Sequence, residues 1–133
     1  MKVCVLGAGS LGSTIGGALA QAGNEGHFVG RAPHMNAINE KGLVMVTPTG
    51  EETAHPVGHT TPDGIGPVDL VIVLCKAFDT AKTIEEAREL VGPDTVVMSL
   101  QNGLGAEDVL CEAIGAEHVI GGKTYIGGML LEP

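Results

Sequence analysis

The sequence predicts a doubly wound α/β fold, a mostly parallel sheet with helices on both faces, and three observations carry that prediction. Short, nearly continuous apolar runs stop at glycine or at turn residues, the pattern of parallel strands buried on both sides. These runs alternate with stretches of helical period, and strands joined by helices imply right-handed crossovers within one sheet. The first run leads directly into Gly7-Ala8-Gly9-Ser10-Leu11-Gly12, where the period changes from strand to helix.

Taken in order, Lys2-Val3-Cys4-Val5-Leu6 is the first strand. Leu11, Ile15, Ala18, Leu19 and Ala22 then recur as one helical stripe, and Gly23 supplies the left-handed stop. A second strand is expected at residues 27–29, and a short helix at 35–41 closed by Gly42. A third strand is expected at 43–46, turned at Pro48-Thr49-Gly50. Residues 51–67 show no clear period. Residues 68–75 read as the strongest strand, 81–91 as a helix ended by Gly92-Pro93, and 95–100 as another strand. A helix at 105–114 and a strand beginning at 118 complete the alternation.

Composition narrows the function. A chain of 133 residues fits one core and buries roughly two thirds of the surface its unfolded form exposes. Hydrophobic residues make up 44%, yet runs such as residues 70–75 are far too short to span a bilayer. The N-terminus lacks the pattern of a secretory signal, so a cytoplasmic protein is expected. Sixteen acidic against seven basic residues give a net charge of −9, and with one Tyr and two Phe there is neither a basic footprint nor a stacking platform for nucleic acid. Cys4, Cys75 and Cys111 are an odd set without a C-x-x-C pair, which argues against a disulfide framework or a thiolate zinc site. The 21 glycines follow no period, which excludes collagen and low-complexity linker.

The glycine hexapeptide is G-x-G-x-x-G in the context that a dinucleotide fingerprint requires, after a strand and opening a helix. Gly7 permits the sharp turn, Gly9 lets the backbone approach a pyrophosphate, and Gly12 lets the helix pack close to the sheet. The helix N-terminus offers free N–H groups and the positive end of its dipole, so Ala8, Ser10 and Leu11 belong to the same cradle. The bland alternative is a glycine turn that merely joins strand to helix. An NAD site usually places Asp or Glu about 20 residues further on; here that position reads Val29-Gly30-Arg31. A guanidinium there pairs with the 2′-phosphate of NADP, which an acid would repel. The alternative is a solvated surface arginine. His34 is a candidate for the same pocket, with an ordinary loop histidine as the plainer reading.

Lys76 follows one predicted strand and Asn102 another, within Gln101-Asn102-Gly103. Ligands of open α/β sheets bind outside the carboxyl ends of the strands, where a cation and an amide can meet the nicotinamide ribose and an anionic substrate. A snorkelling lysine and an Asn-Gly turn are the alternatives. Four other patterns fail. Gly122-Lys123-Thr124 lacks the first glycine of a P-loop, which falls on Glu117. His55 and His59 are separated by Pro56 and Gly58, which forbid the helix that would align them, so no metal is expected. Glu85, Glu86 and Glu89 read as a solvated helix face, and Cys75 beside Lys76 as an inert thiol inside a strand.

These residues resemble the ketopantoate reductases (2-dehydropantoate 2-reductases). The match rests on Lys2 to Gly12, Val29-Gly30-Arg31, Lys76, Gln101-Asn102-Gly103 and Val119-Ile120-Gly121-Gly122, and so runs through the chain. The resemblance implies a Rossmann-like domain at residues 1–133 and NADPH-dependent reduction of 2-dehydropantoate, or a related 2-keto acid, toward pantothenate and coenzyme A. In that family a helical second domain follows. It carries the lysine that acts as general acid, further substrate contacts and the contacts of a homo-oligomer. The chain is therefore expected to be the nucleotide-binding half, inactive alone, with none of its own lysines as the acid. Gly26 stands where the family more often has a different strand start, at some cost to the strand. Two rivals are a nucleotide-sensing module without catalysis, which has no reason to place Lys76 and Asn102 at the crevice, and a methyl-donor transferase, which would show an acid at Arg31.

Overall fold

The computed structural model describes residues 1–102 and 104–133. The chain runs β1 (Lys2–Leu6), α1 (Ser10–Gln21), β2 (Glu25–Val29), α2 (Ala32–Lys41), β3 (Leu43–Thr47), β4 (Gly50–Ala54), β5 (Val57–His59), β6 (Val68–Val73), α3 (Thr80–Glu86), β7 (Val91–Ser99), α4 (Ala106–Ile114) and β8 (Val119–Gly121). Short 3-10 turns lie at Ala77–Asp79, Arg88–Leu90 and Ala116–His118. Six strands form one parallel sheet in the order β5-β2-β1-β6-β7-β8, the doubly wound arrangement expected. No described helix is long and apolar enough to cross a membrane.

Alternation along β1 sends its side chains to two cores. Val3 and Val5 pack with Phe28, Met35, Ile38 and Leu43 on one face. Cys4 and Leu6 pack with Val71, Val73, Ile84, Leu90 and Leu110 on the other. Both faces of the central strands are dry, which is why their sequences read as unbroken apolar runs. Burial pushes the Cys4 thiol up to about 12, so it is an inert core residue as expected.

Three elements differ from expectation. The strand predicted at 43–46 forms, and its turn lies where expected, but β3 pairs antiparallel with β4 in a separate hairpin. Leu43 and Met45 face α1, whereas Val44 and Val46 are exposed, so only one side of β3 has a core to meet. The sheet position beside β2 is taken by β5, three residues from the stretch that showed no period. Gly58 makes this fit, because a Cβ there would lie 2.8 Å from the Met35 carbonyl oxygen of α2.

The helix predicted at 81–91 ends at Glu86, and Gly92-Pro93 lies inside β7 rather than at a helix end. Between the pairs Val68↔Val91 and Leu70↔Val96 the register shifts, and this irregularity accommodates the Gly-Pro segment. Thr95 closes it: Oγ1 accepts from the Gly92 N–H at 2.9 Å and donates to the Val68 carbonyl at 2.5 Å. The bulge thus supplies from a side chain what the proline cannot donate.

On α1 the fully buried residues are Gly12, Ser13, Gly16 and Gly17, not the predicted stripe. A Cβ at Gly16 would lie 2.5 Å from the Phe28 ring, and one at Gly17 2.5 Å from the Met45 sulfur. The helix sits so close to the sheet that only small residues fit beneath it. Leu11, Ile15 and Leu19 flank this line half-buried, while Ala18 and Ala22 are exposed.

Candidate functional site

The carboxyl end of β1 sits where the strand order changes direction, between β2 and β6, which is the place where doubly wound sheets bind ligands. The turn after β1 is tied to both neighbours. On the β2 side, the Gly7 and Ala8 N–H groups donate to the Val29 carbonyl at 3.1 and 3.0 Å. On the β6 side, a Cβ at Gly7 would lie 2.5 Å from the Cys75 nitrogen, and φ of +91° already requires glycine there. Gly12 approaches just as closely, since its Cβ would lie 2.6 Å from the Gly7 carbonyl oxygen.

Gly9 is different. It is the N-cap of α1 in extended conformation, and a Cβ there would meet nothing within 4 Å. Its lack of a side chain therefore serves no internal packing and leaves open the space in front of the helix. No side chain caps α1 and its first turn carries no acid, so the amides of Ser10, Leu11 and Gly12 have no intrahelical acceptor. An anion is the group that this end attracts.

Arg31 lies on one flank of this turn. It is the exposed N-cap of α2, two residues past the carbonyl that holds Gly7 and Ala8. Among the described residues its side chain has neither an ion pair nor a hydrogen bond. His34 is helical rather than a loop residue. Buried in α2, its Nε2 lies 2.8 Å from the Ser13 hydroxyl of α1, while Nδ1 has no partner. Burial lowers its pKa below the ordinary 6.5. The bond fixes α2, and with it Arg31, against α1.

On the other flank, a crevice of about 370 Å³ is lined by Leu11, Leu74, Cys75, Lys76, Ala77, Phe78, Leu100, Gln101 and Asn102. Lys76 and Asn102, 26 positions apart in sequence, thus face one opening together with Leu11 in the first turn of α1. Lys76 is exposed, with Nζ 5.9 Å from the centroid of the exposed Phe78 ring. Cys75 lies past the end of β6, half-buried at the crevice wall, rather than inside a strand. Gly103 lies outside the described residues. A larger cavity of about 820 Å³ lies between α1, α2, the β3–β4 hairpin and residues 127–133. Its lining includes Ser10 and His34 but neither Lys76 nor Asn102, so size does not make it the site.

Gln101 is the residue that the sequence reading quoted only as part of a motif. Its side chain joins the loops after β6 and β7, with Nε2 donating to the Cys75 carbonyl at 2.8 Å and to Thr80 Oγ1 at 2.7 Å. Position alone could have marked it, since it sits between a strand end and Asn102; its partners could not be read without the fold. The other patterns also find their places. His59 pairs with His27, Nε2 to Nδ1 at 2.9 Å, rather than with His55. Glu85 pairs with Arg88 and Glu86 with Lys82 on the exposed face, while the Glu89 carboxylate accepts from the Gly64 N–H at 2.6 Å.

A family model described as ketopantoate reductase PanE/ApbA matches residues 3–133. The 2-dehydropantoate 2-reductase of Pyrococcus abyssi is 40% identical over 133 residues, which is 100% of this chain and 43% of that protein. The enzyme of the same name from Halobacterium salinarum is 38% identical over 136 residues, 100% of this chain and 44% of its own. Among solved structures, D-mandelate dehydrogenase with NADH and anilino(oxo)acetate superposes with a TM-score of 0.92 at 33% identity, covering 100% of this chain and 43% of that one. The 2-dehydropantoate 2-reductase of Geobacter metallireducens gives 0.83 at 38% identity, covering 91% and 40%. The chain therefore spans less than half the length of these relatives.

Proposed function

The chain belongs to the ketopantoate reductase family, and from that premise we propose that it is the dinucleotide-binding half of an NADPH-dependent reductase of 2-keto acids. The substrate we assign is 2-dehydropantoate, which places the activity in pantothenate and coenzyme A synthesis in the cytoplasm. The observation that carries the reading is the shared crevice: the first turn of α1, Lys76 and Asn102 line one opening at the switch point of the sheet. A nucleotide sensor would have no use for a cation and an amide there.

The residues fit a nicotinamide dinucleotide, because the open space at Gly9 and the uncapped amides of α1 suit a pyrophosphate. Gly7, Ala8, Gly9, Ser10, Leu11 and Gly12 would hold that group, and Arg31 the 2′-phosphate of NADP. When bound, the nicotinamide supplies a hydride to the carbonyl carbon of the keto acid. Lys76 is an exposed cation at the crevice of a chain of net charge −9, so it attracts an anionic 2-keto acid there. Asn102 offers both a donor and an acceptor to the ribose and substrate. Neither residue is assigned the proton that the developing alkoxide needs; that group belongs to the helical domain that relatives of more than twice this length have room for.

Calorimetric titration with NADPH and NADH tests the assignment. A charge-assisted bond from Arg31 to the 2′-phosphate is worth about 1.5–3 kcal/mol, or one to two decades in favour of NADPH. Arg31→Ala should abolish that preference and leave NADH binding unchanged. Equal affinities in the wild type would refute the choice of NADP.

A further inference from the structure

We propose that Gln101 is a positioning residue whose carboxamide locks the loop after β7 to the loop after β6, setting the spacing between Lys76 and Asn102. The inference rests on the reading of the crevice just given. Sheet hydrogen bonding runs one residue past each strand, from Leu74 N–H to the Leu6 carbonyl at 2.8 Å and from Leu100 N–H to the Val73 carbonyl at 3.2 Å. Beyond those bonds the two loops are joined through Gln101.

Ser99 Oγ donates to Gln101 Oε1 at 3.1 Å, and Nε2 donates onward to the Cys75 carbonyl and to Thr80 Oγ1. Thr80 Oγ1 then donates to the Ala77 carbonyl at 2.9 Å, and the Asp79 N–H donates to the Lys76 carbonyl at 2.9 Å. The carbonyls of Cys75, Lys76 and Ala77 are thus each engaged, and the backbone that carries Lys76 is held on both sides. Ser99 and Thr80 are each 1% exposed, so a partner lost there leaves a buried hydroxyl uncompensated. The network needs one group that accepts and donates twice, which a carboxamide does and a carboxylate or ammonium does not. Lys76 is one residue past Cys75 and Asn102 one past Gln101, so a slackened network separates the two, while the glycine turn stays tied to β2 through the Val29 carbonyl.

Two variants of the chain test this. Gln101→Glu keeps the shape and the Ser99 bond while removing both amide donors, and Thr80→Val removes one end of the network. Each should weaken NADPH binding about ten-fold, the scale of one lost hydrogen bond. Binding of 2′-phosphoadenosine 5′-diphosphate, which carries only the groups assigned to the glycine turn and Arg31, should be unchanged. In a Lys76→Ala, Asn102→Ala background, Gln101→Glu should cost nothing more. Undiminished NADPH affinity in both variants, an equal loss for the fragment, a further loss in that background, or unfolding of both variants would overturn the proposal. A wild-type chain that binds neither NADPH nor the fragment would instead overturn the reading of the crevice on which it stands.

Discussion

Gly7 and Gly9 stand two positions apart in one motif, yet substitution should separate them cleanly. At Gly9 the backbone has φ −84° and ψ −150°, which any residue adopts, and a Cβ would meet nothing within 4 Å. Gly9→Val should therefore lower stability by no more than about 1 kcal/mol, the difference between a glycine and an apolar N-cap. The same side chain fills the space in front of α1, so the charge-assisted bonds from its amides are lost. At about 1.5–3 kcal/mol for each of two such bonds, NADPH affinity should fall by at least two decades. Gly7→Ala does the reverse. Its φ of +91° costs an alanine about 1–2 kcal/mol, and its Cβ would lie 2.5 Å from backbone nitrogen of Cys75, which can yield only if β6 moves. Destabilisation above about 3 kcal/mol is expected from strain and overlap together. Urea denaturation and calorimetric titration of both variants give the two numbers for each. A Gly9→Val chain that binds NADPH normally, or a Gly7→Ala chain as stable as wild type, would refute the division of labour.

Burial holds the His34 imidazole below its ordinary 6.5, and burial with the neighbouring His27 does the same to His59. The unfolded chain takes up these protons as pH falls through about 6.5 while the folded chain resists, so stability is fully present above that pH and declines below it. The urea midpoint should be lower at about pH 5 than at pH 7.5, with a shallower decline in His34→Gln; a midpoint independent of pH in this range would contradict the assignment. Thr95→Val leaves the Gly92 N–H and the Val68 carbonyl without their buried partner and should cost about 1–3 kcal/mol. Thr95→Ser, which keeps the hydroxyl, should recover most of it, and equal losses in both would show that the methyl rather than the bond closes the bulge.

The sequence by itself determined the fold class and the place of the glycine turn, because both depend on local signals. The period of β1, the change of period at α1 and the glycine spacing are properties of the first two dozen residues, and the structure shows close backbone approaches at Gly7 and Gly12 and open space at Gly9. Lys76 and Asn102 were legible as strand-end residues for the same reason, although only the parallel register of β6 and β7 makes strand ends into neighbours. What tertiary structure decided is which surfaces meet. The apolar stripe on α1 is not its buried line, because contact distance to Gly7, Phe28 and Met45, not hydrophobicity, selects Gly12, Gly16 and Gly17. β5 has too few residues for any period and is a strand because β2 and α2 leave room for it. Gly92-Pro93 reads as a helix stop until Thr95 is seen to satisfy the bulge. Gln101 belongs to the same kind: a carboxamide declares no partner in sequence, and its three lie 2, 21 and 26 residues away, brought within hydrogen-bond reach by the packing of one loop on another.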